Sequence, residues 1–530
     1  MRIEALGKQG FIFASNKLRE SVGASHLIEI STTDWVDAAV EEVAAAEAVS
    51  VTPWVKVSGR ADLLVKASTD DEERAVCRDL VAHVTTRALR PTDGTDETED
   101  GGCGLRMLGA WIKVDGQPTA ADRERLGATL AQHRERTPSP LARFPRLPVV
   151  AACATSDGPA AQVLDDQTGD VPRPLSAISF AKRAVNWKGR REIRTKLDGR
   201  LARELEEDPE QLLVAAGQLE ESLQGDVGWL GVVHADGNRI GDLFTHNADT
   251  TPEVSEALSN CTFQALAEAT RHLRAIVERP LPLVPLIAGG DDLTVLVDGR
   301  HALGFAAAYL RAFSQLSAED PVLAEAARRA GRTGLTASAG VAVVKPHFPF
   351  SLAYDLCEQA CKSAKGLAAA AGVPALDWHV HYDSTARTLT DARSALSGDG
   401  FTCLRRPYAV LPDDAVEPDE AEGRRWDDLC RLVAKVPVLP HPEPGEALPS
   451  SQLHRLRHEL VTGGPDRAER LYRTLLGRPE LNARFSQLGD KLFDPVLDLA
   501  DTSNTIESTR LLDFLDGEFI PALPAQEGDR

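Results

Sequence analysis

The chain reads as short β-rich runs separated by longer stretches whose apolar residues recur every three or four positions. Trp229-Leu230-Gly231-Val232-Val233-His234-Ala235-Asp236 predicts a buried strand that ends on a carboxylate. The small-residue loop Gly237-Asn238-Arg239-Ile240-Gly241 follows, and helical spacing then runs from about Pro252 to Glu278. Two further β runs, Leu283–Ile287 and Leu293–Val297, flank Ala288-Gly289-Gly290-Asp291-Asp292. That arrangement predicts a tight hairpin with acids at its tip, because glycine lets the backbone turn sharply. A helical run over His301–Leu316 and a strand over Leu335–Val344 complete a β-α-β-β-α-β unit.

A diluted copy of this pattern stands at the start of the chain. Arg2–Leu6 reads as a strand and Phe11–Glu29 as a helix. Gly59-Arg60-Ala61-Asp62-Leu63-Leu64-Val65 aligns with Gly289-Gly290-Asp291-Asp292-Leu293-Thr294-Val295, then Asp71–Ala88 is helical and Leu105–Val114 extended. Gly59 to Gly109 and Gly289 to Ala339 are both 50 positions. Equal spacing argues for two copies of one supersecondary unit. In this alignment Ala61 stands where Asp291 stands, and Lys8 lies near the place of Asp236, so the first copy lacks the acids. The expected architecture is α+β: a degenerate palm-like domain over residues 1–150, a linker with a basic helical segment over 151–222, a catalytic palm over 223–395, and a helical C-terminal domain over 396–530. Arg424–Ala434, Ser450–Thr462 and Pro465–Leu476 supply the helical spacing of that last part. Loops rich in Pro, Gly, Asp and Thr fall at Pro91–Gly102, Thr137–Pro148 and Ser156–Pro174.

The chemistry concentrates in the second copy. Asp236 precedes Asp291 by 55 positions, room for a crossover helix and a return strand. Asp236, Asp291 and Asp292 would then meet at one end of a sheet. Like charges at that distance repel and call for a divalent cation, and hard carboxylate oxygens suit Mg²⁺ or Mn²⁺. Gly289 and Gly290 give a polyphosphate backbone clearance. The loop carrying Gly237, Asn238 and Gly241 offers free N–H groups to phosphates. Lys365 reads either as a triphosphate counter-charge or as a surface lysine. Ser338 reads either as an adenine contact or as a packed strand serine. His234 shares a face with Asp236, and His379 and His381 share a face further on; each is a packed histidine or a metal neighbour.

Composition limits the partners. The 530 residues carry a net charge of −21, which disfavours general nucleic-acid binding. The exception lies between Lys182 and Arg203, where nine Lys or Arg face only Glu192 and Asp198, with Trp187 interleaved. That run is either a solvated helix face or a contact for RNA or a ribonucleoprotein. Eight scattered cysteines without a CxxC pair predict neither a disulfide framework nor a zinc ribbon, and Cys357 and Cys361 read as core. No apolar run reaches membrane-spanning length, so the expected location is cytoplasmic, with no membrane partner.

Taken together, these motifs resemble the large polymerase/cyclase subunit of type III CRISPR effector complexes, in its Cmr-type, two-palm form. The resemblance rests on Gly7-Lys8-Gln9-Gly10-Phe11-Ile12, Gly23-Ala24-Ser25, Asp236-Gly237-Asn238-Arg239-Ile240-Gly241, the Gly-Gly-Asp-Asp hairpin, Ser338-Ala339-Gly340 and Ala364-Lys365, in that order. It covers most of residues 1–385. It implies two ferredoxin-like palms, the first degenerate and the second catalytic, and conversion of ATP to cyclic oligoadenylates with Mg²⁺ or Mn²⁺ held by Asp236, Asp291 and Asp292. It further implies antiviral signalling, and partners of a CRISPR-type ribonucleoprotein reached through residues 182–203. Two family features are expected to be missing: the N-terminal HD nuclease, because the chain starts directly in the first palm, and the zinc-binding insertion, of which Cys153 alone remains. Two other classes stay open. One is a catalytically silent or RNA-guided scaffold subunit, and the other is a GGDEF-like cyclic dinucleotide synthase.

Overall fold

The computed structural model describes residues 1–15, 17–46, 49–90, 104–136, 149–156, 158–164, 173–184, 196–215, 219, 223, 228–381, 388–394, 397–398, 401–402, 406–412, 415–433, 450–479 and 481–482. Residues 483–530, most of the loops named above and residues 185–195 of the basic run lie outside them.

The chain starts with β1 (Arg2–Ala5), α1 (Lys8–Phe13), α2 (Leu18–Thr32) and α3 (Asp34–Ala46). β2 (Ser50–Val57), β3 (Arg60–Lys66), α4 (Asp70–Leu89), β4 (Met107–Ala110) and α5 (Ala120–Arg136) follow. The four strands form one sheet in the order β2-β3-β1-β4, the ferredoxin-like arrangement. The single helix expected over Phe11–Glu29 is two, because Ser15 Oγ accepts from Lys17 N at 3.1 Å and turns the chain between them. Helix α4 starts on a capping box in which Thr69 and Glu72 satisfy each other's backbone N–H. The middle of the chain contributes β5 (Gln162–Leu164), β6 (Arg173–Leu175), α6 (Ala177–Ala184), α7 (Lys196–Glu204) and α8 (Pro209–Leu212).

The second unit runs β7 (Leu230–Gly237), α9 (Ile240–His246), α10 (Thr251–Ile276), β8 (Leu283–Gly289), β9 (Asp292–Asp298), α11 (Ala302–Glu319), α12 (Pro321–Arg329), β10 (Ala337–Val344), α13 (Phe350–Ala371) and β11 (Ala375–Val380). After α14 (Leu389–Ser394) come the short strands β12 (Ser397–Gly398), β13 (Phe401–Thr402) and β14 (Tyr408–Ala409). The sheet order β14-β11-β10-β7-β9-β8 contains the same ferredoxin-like core, extended by β11 and β14. Helices Trp426–Val433, Ser450–Gly463 and Pro465–Leu476 close the described chain.

Strand alternation sends β7 residues to two cores. Val233 and Ala235 pack under α10 and α11, together with Val295, Val297, Ala339 and Val341. Leu230 and Val232 face the other way, with Leu296, Ala342 and Val344. That second face is covered by α13 and by the first unit, whose Ile3, Ala61, Leu63, Phe13 and Val22 join the same core. The two palms therefore share one apolar interior, where each fully buried aliphatic side chain contributes about 1.5–3 kcal/mol. Their contact is reciprocal: α2 packs on β8, and its counterpart α10 packs on β2. Ser25 Oγ donates to Leu286 O at 2.5 Å, and Arg123 Nη2 donates to Phe244 O at 3.1 Å.

Backbone pairing corrects the internal alignment. Glu4 pairs with Arg60 on β3 and with Leu108 on β4. In the second palm Ala235 pairs with Leu293, and Asp236 pairs with Ser338. The hairpins close on Val57 with Arg60 and on Gly289 with Asp292. Glu4, not Lys8, is thus the counterpart of Asp236. Gly59 matches Asp291, Arg60 matches Asp292, and each pair is 232 positions apart. The same offset joins Gly7 to Arg239, both left-handed residues preceding a helix that starts at Lys8 or Ile240. The sequence alignment of Gly59 with Gly289 was two residues out. A slip of two leaves every side chain on its original face, so the apolar pattern cannot detect it.

Candidate active site

Strand β7 and the β8–β9 hairpin bring the predicted acids together. The two-residue turn Gly290-Asp291 has φ of +63° at Gly290, and Asp291 is not left-handed, as in a type II′ turn. Continuing the β7–β9 register by one residue sets Asp236 opposite Asp292. A Cβ built on Gly237 would lie 2.9 Å from Asp291 Cβ, so this glycine is what allows the hairpin tip to close on β7.

The three carboxylates act on one another. Burial, then the charges of Asp292 and Asp236 and a hydrogen bond to Asp236, push the Asp291 carboxyl up to about 8. Asp292 is raised as well, by burial and by Asp236, with His234, Lys8 and Lys365 pulling the other way. Asp291 and Asp292 both keep part of their surface in solvent. Lys365 on α13 bonds directly to Asp236 Oδ2 and reaches Gly237 O at 3.4 Å. Burial lowers the Lys365 ammonium, but the bond and charge of Asp236 outweigh that and leave it raised. The first palm keeps this pair in altered form: Arg134 Nη2 on α5 donates to Glu4 Oε1 at 2.8 Å.

Other predicted residues take different places. Gly241, Gly289 and Gly290 face open space. Asn238 and Ser338 do not. Ser338 Oγ donates to Asn238 Oδ1 at 2.8 Å, Asn238 Nδ2 donates to Thr336 Oγ1 at 2.9 Å, and both residues are buried. Their side chains are engaged with each other and with Thr336, which braces the loop after Asp236. Arg332 holds the same loop from outside, donating to Asn238 O at 2.6 Å and Arg239 O at 3.3 Å. His234 is buried at 3.1 Å from Thr294 Oγ1, with its ring 5.5 Å from Tyr354. Cys357 and Cys361 are buried and donate to backbone carbonyls of β7 and β10.

Sequence reasoning missed the clamp on the hairpin. Ser259 Oγ accepts from Gly290 N at 3.1 Å, and Thr262 Oγ1 donates to Gly290 O at 2.7 Å. Both come from α10, where two hydroxyls three residues apart on a buried face were the available signal.

Among the described residues no group of three or more His, Cys, Asp or Glu side chains is arranged to hold a metal ion. One oxygen of Asp236 is taken by Lys365. The donor chemistry nevertheless fits a hard divalent cation, because burial and the charges of Asp292 and Asp236 hold a proton on Asp291 and a cation would offset the same repulsion.

Of the basic run, Lys182 is buried with its ammonium on Phe11 O, and Arg183 pairs with buried Glu20 at 2.8 Å. Arg200 lies 3.7 Å over the Phe263 ring. Lys182 and Arg183 are turned inward, whereas Arg200 and Arg203 are exposed; Trp187, Lys188, Arg190, Arg191 and Arg194 lie outside the described residues. No described helix is long and apolar enough to cross a membrane.

Residues 229–370 match the family model of the Cas10/Cmr2 second palm domain. No curated protein matches the sequence. Solved structures that share the fold include three Csm1 examples. The Csm1-Csm4 cassette in complex with cA4 has a TM-score of 0.52 and 13% identity over 97% of this chain and 69% of its own. The cassette in complex with AMPPNP gives 0.53 and 15% over 96% and 69%. Csm1 from T.onnurineus gives 0.50 and 15% over 96% and 69%.

Proposed function

We propose that this chain, which carries a second palm domain of the Cas10/Cmr2 family, is a nucleotidyl cyclase that joins ATP into cyclic oligoadenylates as a subunit of a type III CRISPR assembly. The observation that carries the reading is the meeting of Asp236, Asp291 and Asp292, with Asp291 holding its proton up to about 8. Structures of the same fold include a Csm1-Csm4 cassette in complex with cA4 and with AMPPNP, which supports both the nucleotide and the partnership.

Asp236, Asp291 and Asp292 would hold Mg²⁺ or Mn²⁺. A bound ion supplies activation of a ribose 3′-hydroxyl and neutralises charge on the α-phosphate and the departing pyrophosphate. The protein's own part is placement. Ser259 and Thr262 fix the hairpin tip, and Asn238, Ser338, Thr336 and Arg332 fix the loop after Asp236. Open space at Gly241, Gly289 and Gly290 admits the triphosphate. Lys365 adds positive charge beside it and would cede Asp236 to a bound cation.

The test is incubation of the purified chain with each NTP and Mn²⁺, with products identified by mass. Cyclic oligoadenylate from ATP, lost in Asp291→Ala/Asp292→Ala while the folded spectrum stays, is the expected result. Cyclic dinucleotide from GTP would instead favour the GGDEF-like alternative. No product from any NTP, under conditions where the variant and parent behave alike, would leave the scaffold reading.

A further inference from the structure

The first palm keeps cations where the second has acids or apolar groups. Arg60 stands at the position of Asp292, and Lys8 at the position of Ile240. Arg60 is spent locally, bonded to Asp62. Lys8 is not: it is exposed, and no hydrogen bond or ion pair among the described residues engages its ammonium. Its stem lies against the hairpin turn of its own palm, with Cδ 2.4 Å and Nζ 3.2 Å from a Cβ built on Gly59. Only a glycine at this turn leaves room for that course.

The neighbour of Lys8 shows which way the helix start faces. Gln9 Nε2 donates to Tyr354 Oη at 3.0 Å, across the boundary between the palms. Tyr354 lies on α13, the helix that carries Lys365, and its ring meets His234, two residues before Asp236 on the same face of β7. Phe13, further along α1, stacks on Tyr354 at 3.7 Å. The first turn of α1 is thus fastened to the wall of the acid centre, and the positive charge of Lys8 acts on the Asp292 carboxylate. An uncommitted ammonium whose charge reaches Asp292, at the start of a helix fastened beside the acid centre, suits a ligand that brings its own negative charge.

We propose that Lys8 crosses from the first palm to bind the polyphosphate of the nucleoside triphosphate held at the acid centre of the second. The inference rests on the proposed nucleotide chemistry and deepens it by naming a second-wall residue. It gives Lys8 a role that its alignment near Asp236, as a mark of an acid-free first copy, does not assign.

The experiment is isothermal titration of the full chain with α,β-methylene ATP in Mn²⁺, where the bridging carbon blocks reaction, and with adenosine as the uncharged control. Lys8→Met should weaken the analogue roughly ten- to hundred-fold, the loss of one charge-assisted hydrogen bond. Adenosine affinity should be unchanged, and Lys8→Arg should recover most of the analogue affinity. Equal affinity of parent and Lys8→Met for the analogue overturns the inference alone. Equal weakening of analogue and adenosine overturns it too, since that marks a displaced helix and not a lost charge. Failure of the parent itself to bind the analogue overturns the nucleotide reading, and the inference with it.

Discussion

Replacing Asp291 with Asn should stabilise the metal-free protein above neutral pH. The perturbation keeps the shape of the hairpin tip and removes one of three crowded negative charges. In the folded chain the Asp291 carboxyl is pushed up to about 8 by burial, Asp292 and Asp236. Each unit of such a shift corresponds to about 1.4 kcal/mol. Three acids share the penalty and all retain some contact with water, so screening leaves roughly 1–3 kcal/mol at this position. The sign follows from proton binding. Between the ordinary carboxylate range and about pH 8 the folded protein holds a proton that the unfolded chain has released. Stability of the parent therefore falls as pH rises through that window, and the Asn variant should show a flatter profile. Thermal unfolding in EDTA at pH 5.5 and 8 measures this, with an expected gain for Asp291→Asn of roughly 2–8 °C at pH 8 and little at pH 5.5. Mn²⁺ at a hundred times its dissociation constant should stabilise the parent by about 2.7 kcal/mol and the variant by much less. An Asn variant that is less stable than the parent at pH 8 without metal would refute the argument that these acids strain one another.

Three further outcomes follow from the same geometry. Ser259→Ala with Thr262→Val should cost about 1 kcal/mol for each lost bond in denaturant unfolding, yet lower kcat far more than that loss of stability accounts for; an unchanged kcat would mean the hairpin tip does not need its clamp. Gly237→Ala forces its new methyl against Asp291 and Ile240, so Mn²⁺ affinity by titration should drop by about ten-fold or more, and an unchanged affinity would show the tip tolerates the shift. Lys365→Met removes the direct partner of Asp236 and should raise KM for ATP at least several-fold, with a far-UV spectrum like the parent's; a KM within error of the parent would make Lys365 a plain surface residue.

Much of this arrangement was written in local signals. The run ending at Asp236 and the paired glycines before Asp291 each predict their element without help from the rest of the chain. Two ferredoxin-like units were legible because strand and helix periods recur at matching intervals. What escaped detection depended on contacts between distant segments. The counterpart of Asp236 was misassigned to Lys8 because a two-residue slip preserves facing, and only the pairing of Glu4 with Arg60 fixes the register. Asn238 and Ser338 read as candidate ligand groups from the sequence, and their bracing of the loop was not legible there. Their mutual hydrogen bond spans 100 positions, and no local pattern announces it. The Ser259 and Thr262 clamp is equally non-local, since its partner Gly290 lies 28 and 31 positions away.

The reciprocal seating of α2 on β8 and of α10 on β2 joins two halves that are covalently one molecule. In an enzyme assembled from separate identical halves, dilution pulls the halves apart and activity falls faster than protein concentration. Here the tether holds the effective concentration of one half around the other constant. Turnover per molecule would then be indifferent to dilution, and a single scarce copy would be as well assembled as a thousand.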